Sequence, residues 1–259
     1  FFTALFLWLY RRFLQQETWA NTLWLGFAAA ALLYSKYHGV LVIFFVLLSN
    51  LKLLRNAKLY VAGLVALLLF VPHLIWQSGH NWISFRYHLF ESNVNPYKFS
   101  YTTDYILGQL LFAGPLAGFI LWPAAFLYRS KNSFDRAPKF TAVGFFLFFL
   151  LSTLKGKVEP NWTARAIIAV MVLAHQFLLN KVGWRKWLLR LLPVTVILVF
   201  TFRVIMVVDL VPAQAIVERY HAWEDWPQDM KERTKGLPVV FNNSYQRASK
   251  YWFYTGQMT

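Results

Sequence analysis

Long apolar runs that alternate with short basic connections constrain this chain more than any other feature of its sequence. A helix that crosses a bilayer needs roughly 20 mostly apolar residues, and irregular backbone cannot face lipid. About eight runs approach or meet that length, so they predict membrane helices. The predicted spans are residues 1–10, as the tail of one span, and 19–34, 37–54, 59–77, 105–128, 140–154, 161–179 and 188–208.

The composition supports a chain whose main solvent is lipid. Of its 259 residues, 58% are hydrophobic and only 14% are charged, whereas about a quarter of a soluble domain is charged. Intrinsic disorder is excluded because disordered chains lack large apolar side chains. The fold class is therefore an all-α polytopic membrane protein. Phe1 already lies within an apolar run, and we expect the chain to be a fragment, incomplete at both ends.

The distribution of basic residues predicts the orientation of the spans. One set of connections holds thirteen of them: Arg11, Arg12, Lys52, Arg55, Lys58, Arg129, Lys131, Arg136, Lys139, Lys181, Arg185, Lys186 and Arg190. The alternate connections hold five, namely Lys36, Arg86, Lys98, Lys155 and Lys157. The positive-inside rule places the first set in the cytoplasm and the second outside. This orientation also accounts for the net charge of +15 without a nucleic acid partner.

The residues after the last span have soluble character. We predict two domains, a transmembrane domain over residues 1–208 and an extracytoplasmic tail over 209–259. In the tail, residues 213–233 have helical spacing and 239–241 (VVF) indicate a short strand. A final helix follows, with Ser244 as its cap and Gly256 at its end. We therefore expect the start of a small α/β domain.

Unusual polar residues gather in the predicted outside connections. Lys36 and His38 lie between two rather short spans, where Lys36 is placed either to bind a lipid phosphate or merely to extend its charge towards water. In residues 155–162 (KGKVEPNW), Lys155 and Lys157 contradict the positive-inside bias. They indicate a phosphate or pyrophosphate ligand, with Glu159 and Asn161 as sugar contacts; the alternative is a plain polar hairpin.

The long connection over residues 78–104 interleaves aromatic and polar side chains. His80, Trp82, Arg86 and Glu91 are typical of a carbohydrate surface, in which rings cover a sugar face and polar groups bind hydroxyls. The alternative is an interfacial amphipathic helix. No metal site is predicted from histidine spacing, and the absence of cysteine excludes thiolate ligands and disulfides. A requirement for a divalent metal ion is left open.

Three stretches together resemble one family. Residues 32–41 (LLYSKYHGVL), 149–162 (FLLSTLKGKVEPNW) and 244–249 (SYQRAS), the last followed by Phe253 and Tyr254, resemble motifs of bacterial glycosyltransferase family 39-like enzymes. This group includes protein mannosyltransferases and aminoarabinose transferases. The resemblance implies a GT-C fold in the bacterial inner membrane, with its active site and tail on the extracytoplasmic face.

The resemblance also implies a reaction. Such enzymes transfer a sugar from a polyprenyl-phosphate donor to a protein, lipid or glycan acceptor, with an acidic residue as base. The family places that acid in its first outside loop, which we expect upstream of Phe1, so no residue here receives the catalytic role. Lys36 and Lys157 map as phosphate contacts; we add Lys155 to them, and assign His38, His80, Trp82, Arg86, Glu91, Glu159 and Asn161 to sugar or acceptor. A transporter or flippase for an anionic lipid-linked sugar, and a structural subunit, remain alternatives.

Overall fold

The described part of this chain is helical wherever its secondary structure is regular. The computed structural model describes residues 1–87, 96–207, 225–235, 237–242 and 245–256. The α-helices of the larger region are α1 Phe2–Gln15, α2 Trp19–Ser35, α3 Gly39–Ser49, α4 Ala57–Gly79, α5 Ile83–Arg86, α6 Phe99–Phe112, α7 Gly118–Leu127, α8 Ser133–Ser152, α9 Ala164–Leu179 and α10 Val182–Val207. Two 3₁₀ turns, Leu51–Arg55 and Pro160–Thr163, precede α4 and α9, and α11 Asp225–Arg233 and α12 Tyr245–Thr255 follow α10.

Side-chain caps fix where several of the helices begin. The hydroxyl of Thr18 accepts a hydrogen bond from the backbone of Asn21, and the Asn56 side chain accepts one from Lys58. The Asn132 side chain accepts from the backbone of Asp135 in the first turn of α8. Each cap satisfies a backbone N–H that has no partner inside its own helix.

The chain forms two compact units, Phe1–Thr195 and Val196–Thr259. In the first unit, α2 packs along α4, α3 along α8, and α9 against both α7 and α8. One apolar core includes Phe13, Leu32 and Phe145, and a second includes Ala169 and Leu173. The predicted domain boundary after residue 208 stays a prediction.

Three helical segments are long and apolar enough to cross a bilayer within the described residues. They are Ala57–Gly79, Pro160–Leu179 and Val182–Val207, and Gly39–Ser49 and Gly118–Leu127 are shorter apolar helices. Few residues of α4 and α10 are buried inside the protein, although both are rich in Leu, Val and Phe. Apolar side chains that face outward suit a lipid solvent. The all-helical membrane architecture is confirmed to this extent, and the full set of eight spans stays a prediction.

The predicted span 105–128 is not one helix. α6 ends at Phe112 and α7 begins at Gly118, with a turn between them in which Gly114 has φ of 116°. Pro115 follows and cannot donate a backbone hydrogen bond to a continuing helix. Likewise, the helical part of span 37–54 is α3, and a 3₁₀ turn replaces its last residues. Short local breaks are hard to see in a uniformly apolar run.

The second unit lacks the predicted strand. Residues 239–241 have no regular secondary structure, and the residues that the structure describes include no strand with which they could pair. The two predicted helices are present in part, as α11 and as α12, which ends before Gly256 at φ of 70°. Phe241 contacts Trp226 and the buried Tyr251 instead. Ser244 and residues 213–224 lie outside the described residues.

Candidate functional site

The tight turn between α2 and α3 positions Lys36 and His38. Backbone hydrogen bonds from Gly39 to Lys36 and from Val40 to Tyr37 close the turn. A Cβ atom on Gly39 would lie 2.6 Å from the carbonyl oxygen of Leu32, so the two helices approach too closely for any other residue. The predicted turn is therefore a fixed feature, which presents Lys36 at the end of α2.

Lys36 lies beside residues that are distant from it in sequence. Its ammonium group is 6.0 Å from the centre of the Trp162 ring. Nη2 of Arg165 donates a hydrogen bond of 2.9 Å to Oγ of Ser35, the residue before Lys36. Although Lys36 is exposed, desolvation by the surrounding protein atoms, and secondarily the charge of Arg165, lower its pKa. Two cations thus share one end of the first unit.

His38 is packed against the end of α8 and the segment that follows it. Its ring lies 5.2 Å from that of Phe149, at a steep angle, and 6.0 Å from that of Trp162. Val158, close before Trp162 in the chain, is buried in the same apolar core. The structure therefore brings together two stretches that the sequence marks as separate motifs, residues 32–41 and 149–162.

The polar residues of the second motif are held at the surface. Lys157 forms an ion pair of 3.2 Å with Glu159, and both side chains are about half exposed. Lys155 and Asn161 are also exposed. The ends of this segment are fixed: Thr153 bonds to Thr102, and Thr163 donates to the buried side chain of Gln109. No contact that the structure describes joins Lys155 or Lys157 to Lys36.

A buried amide organises the region next to Lys36. Gln77, which is fully buried, donates a hydrogen bond of 2.8 Å to the hydroxyl of Tyr37 and one of 2.9 Å to that of Ser84. The Tyr37 hydroxyl lies 2.7 Å from Nε2 of His73. Because this hydroxyl accepts a hydrogen bond from Gln77, its own proton is available for donation to Nε2 of His73. This network ties the turn after α2 to α4 and to the short α5.

Two adjoining cavities open beside the turn. The first has a volume of about 290 Å³ and is lined by Lys36, Tyr37, His73 and three further residues, among them Tyr34. The second, of about 400 Å³, is almost entirely apolar and is lined by Phe2, Phe27, Ala30, Ala31, Tyr34, Ser35 and Leu69. Tyr34 lines both. A cavity lined by Lys36 and an apolar cavity that shares Tyr34 with it together match a ligand with an anionic head and a hydrocarbon chain.

The other predicted site residues surround the end of α4. His80 stacks on Trp76 with 4.2 Å between ring centres, and its Nδ1 donates to the carbonyl of Trp76. Trp82 has a left-handed backbone conformation, with φ of 53°, and its ring contacts that of Phe85. Arg86 is exposed in α5. Glu91 lies outside the described residues. The structure gives no contact, among the residues described, between His80, Trp82 or Arg86 and Lys36.

The described residues hold no cluster of metal ligands, and four residues near Lys36 were not predicted from the sequence. Within the described ranges, no three His, Cys, Asp or Glu side chains cluster as metal ligands. Arg165, Tyr34, Tyr37 and Gln77 were not among the predicted site residues. Arg165 carried a usable signal, since an ionisable residue inside a predicted span is a functional candidate by default. The role of Gln77 depends on tertiary contacts, and no signal in the sequence indicated it.

Comparison with known proteins gives a family match for the first part of the chain. Residues 1–76 match the family model of dolichyl-phosphate-mannose-protein mannosyltransferases. The comparisons with curated proteins and with solved structures gave no match. The matched residues include α1 to α3 and most of α4. They therefore contain the turn with Lys36, His73, and the residues of α2 that line the two cavities. Over these residues, which contain the first of the three motifs, the family resemblance seen in the sequence is confirmed, and it supports a membrane glycosyltransferase of the GT-C kind.

Proposed function

We propose that this chain transfers a sugar from a polyprenyl-phosphate donor to an acceptor on the extracytoplasmic face of a bacterial inner membrane. The observation that carries the proposal is the position of Lys36, beside the Arg165–Ser35 hydrogen bond and at the wall of a polar cavity that adjoins an apolar one. A membrane glycosyltransferase whose donor is a lipid phosphate needs this combination of charge and apolar surface.

The chemistry explains why cations are needed there. As the acceptor hydroxyl attacks the anomeric carbon, the bond from that carbon to the phosphate oxygen breaks. The electron pair remains on the phosphate, while the hydroxyl proton passes to a base, to which we assign no residue. Fixed positive charges near the leaving phosphate stabilise the transition state more than the ground state. Lys36 acts directly in this proposal, and Arg165 both adds charge and holds Ser35.

The apolar cavity supplies the place for the first isoprene units. Phe2, Phe27 and Leu69 provide its larger apolar side chains, and Ala30 and Ala31 leave space between them. Tyr34 stands at the junction of the two cavities, and its hydroxyl is already bonded to the carbonyl of Leu69. The ring therefore stays in position between the chain and the phosphate.

The remaining predicted contacts extend this proposal to the sugar and the acceptor. Lys155 and Lys157 are exposed cations for a second phosphate or for the acceptor, and Glu159 and Asn161 are polar contacts beside them. His38, His80, Trp82 and Arg86 offer rings and donors for sugar hydroxyls. We leave Glu91 as a proposed contact from the sequence alone.

The test is sugar release from the lipid carrier by the purified full-length protein, which includes the upstream loop in which the acidic residue is expected. Lys36→Ala should lower the transfer rate by about 10²-fold, the cost of removing one charge-stabilising donor, and Lys36→Arg should retain part of it. Lys98→Ala is the matched control, since Lys98 is exposed and carries the same charge on the same predicted side. Transfer that is unchanged in Lys36→Ala would contradict the proposal. Movement of intact donor across the bilayer, without sugar release, would instead favour a flippase.

A further inference from the structure

A second pair of adjoining cavities lies at the opposite end of the first unit, the end predicted to face the cytoplasm. The larger of the two, of about 550 Å³, lies between the end of α7, α9 and the start of α10. The other, of about 480 Å³, lies between α1, α8 and α9. Tyr128, Lys131 and Gln176 line both, so the two cavities share a wall.

The charge around these cavities is mainly positive. Arg11 lines one of them, Arg129 and Lys181 line the other, and Lys131 lines both. Among the described residues the two linings contain one carboxylate, that of Asp135, which is buried and accepts hydrogen bonds from the Tyr128 hydroxyl (2.7 Å) and the Lys131 backbone (3.0 Å). Over the residues that the structure describes, none of the four cations forms an ion pair with a carboxylate. Their charge is available to a ligand.

The apolar part of the linings indicates what kind of anion fits. Leu14 and Phe134 line the first cavity, and Leu127, Phe177 and Trp184 the second. Phe177 and Trp184 contact each other edge to face, with 5.4 Å between ring centres. A small soluble anion has no apolar part to contact these side chains, whereas a phospholipid presents its phosphate together with the start of its acyl chains. The positive-inside rule requires a number of charges in the loops; it does not require them to converge on a cavity.

We propose that these cavities bind an anionic phospholipid of the cytoplasmic leaflet. Its phosphodiester lies among Arg11, Lys131 and Lys181, where guanidinium and ammonium groups donate to phosphate oxygens. Its acyl chains leave along Phe177 and Trp184. This site is separate from the Lys36 cavities, because α2 alone, with 17 residues, separates the two ends of the unit by about 25 Å.

The experiment measures lipid binding by native mass spectrometry of the purified chain. Phosphatidylglycerol and phosphatidylcholine with identical acyl chains are offered together, so that only the head group differs. We expect the wild-type chain to retain phosphatidylglycerol preferentially. The double variant Arg11→Gln, Lys131→Gln should reduce that preference about tenfold. Gln176→Trp places a larger side chain of unchanged charge between the two cavities and narrows both, and it should reduce binding of phosphatidylglycerol as well.

The controls separate this site from a general charge effect and from a soluble ligand. Arg12→Gln, Arg136→Gln removes two exposed cations at the same end that line neither cavity, and it should leave the preference unchanged. An equal loss in this control would overturn the proposal in favour of diffuse surface charge. Displacement of the lipid by millimolar glycerol phosphate would overturn it in favour of a soluble phosphate ligand. Unchanged thermal unfolding of each variant shows that the fold is kept.

Discussion

Arg165 donates a hydrogen bond from Nη2 to Oγ of Ser35, over a distance of 2.9 Å, and so connects the start of α9 to the end of α2. The two residues are 130 positions apart in the chain. Ser35 directly precedes Lys36, so the contact also fixes the place at which Lys36 leaves its helix. The first part of the chain, which matches the mannosyltransferase family model, is thereby joined to a part that does not.

Substitution of Arg165 tests whether its charge or its hydrogen bond matters more. Arg165→Ala should lower the rate of sugar transfer by about 10²-fold, because both the charge and the bond to Ser35 are lost. Arg165→Lys keeps the charge but loses the planar, multiply donating guanidinium, and we expect an intermediate rate. Ser35→Ala, which removes only the acceptor, should resemble Arg165→Lys. Equal rates for Arg165→Ala and the wild-type protein would show that Arg165 takes no part in the reaction.

Donor binding should weaken as the pH rises, and the midpoint of this loss should lie at a lower pH than the pKa of an ordinary lysine. The pKa of Lys36 is lowered by desolvation and by Arg165, so its ammonium group loses its proton earlier as the pH rises. Only the protonated form attracts a phosphate. The affinity for the donor is therefore at its full value below the pKa of Lys36 and falls as the pH rises above it. Binding of a polyprenyl phosphate, followed by tryptophan fluorescence against pH, measures the midpoint.

Two variants control the pH experiment. Lys36→Arg should remove the alkaline decline, since a guanidinium stays charged throughout the accessible range. Arg165→Ala should move the midpoint to higher pH, because the neighbouring positive charge that lowers the Lys36 pKa is gone. A midpoint that stays in place in both variants would assign the decline to another group.

The close approach of α2 and α4 should be sensitive to a single methyl group. A Cβ on Gly26 would lie 2.5 Å from the carbonyl oxygen of Ala62 and 2.8 Å from Cβ of Val65, so Gly26→Ala forces the helices apart. We expect the free energy of unfolding to fall by about 1–3 kcal/mol. Gly63→Ala is the matched control on α4, as its Cβ would meet no heavy atom within 4 Å. Thermal unfolding in detergent compares the two, and equal midpoints would refute the close packing.

Removal of the Gln77 amide should destabilise the region around the Tyr37 turn. Gln77→Leu leaves the partly buried hydroxyls of Tyr37 and Ser84 without the hydrogen bonds that Gln77 donates. We expect the free energy of unfolding to fall by about 1 kcal/mol, the lower end of the cost of an unsatisfied buried polar group. Gln16→Leu changes the same side chain at an exposed position and should have little effect. Chemical unfolding followed by tryptophan fluorescence provides the measurement. A stability of Gln77→Leu equal to that of Gln16→Leu would show that the network carries no energy.

Local signals in the sequence predicted the kind of fold and one turn of the candidate site. Apolar runs predicted the helical membrane architecture, and the residues Tyr34 to Gly39 predicted the tight turn that presents Lys36. The breaks within two apolar runs were not predicted, because hydrophobicity alone does not reveal where a helix ends. Arg165 was missed although it stood inside a predicted span, and Gln77 was missed because an uncharged amide gives no comparable signal.

Hydrophobic runs, basic connections and one motif determined that this chain is helical, lies in a membrane and resembles a glycosyltransferase, since each of these properties depends on residues that are neighbours in sequence. Only the tertiary structure decided that Trp162 and Arg165 accompany Lys36, that Gln77 connects Tyr37 to Ser84, and that a polar cavity adjoins an apolar one. These relationships depend on which helices pack together. That packing is set by shape at places such as Gly26 and Gly39, and no local pattern records it.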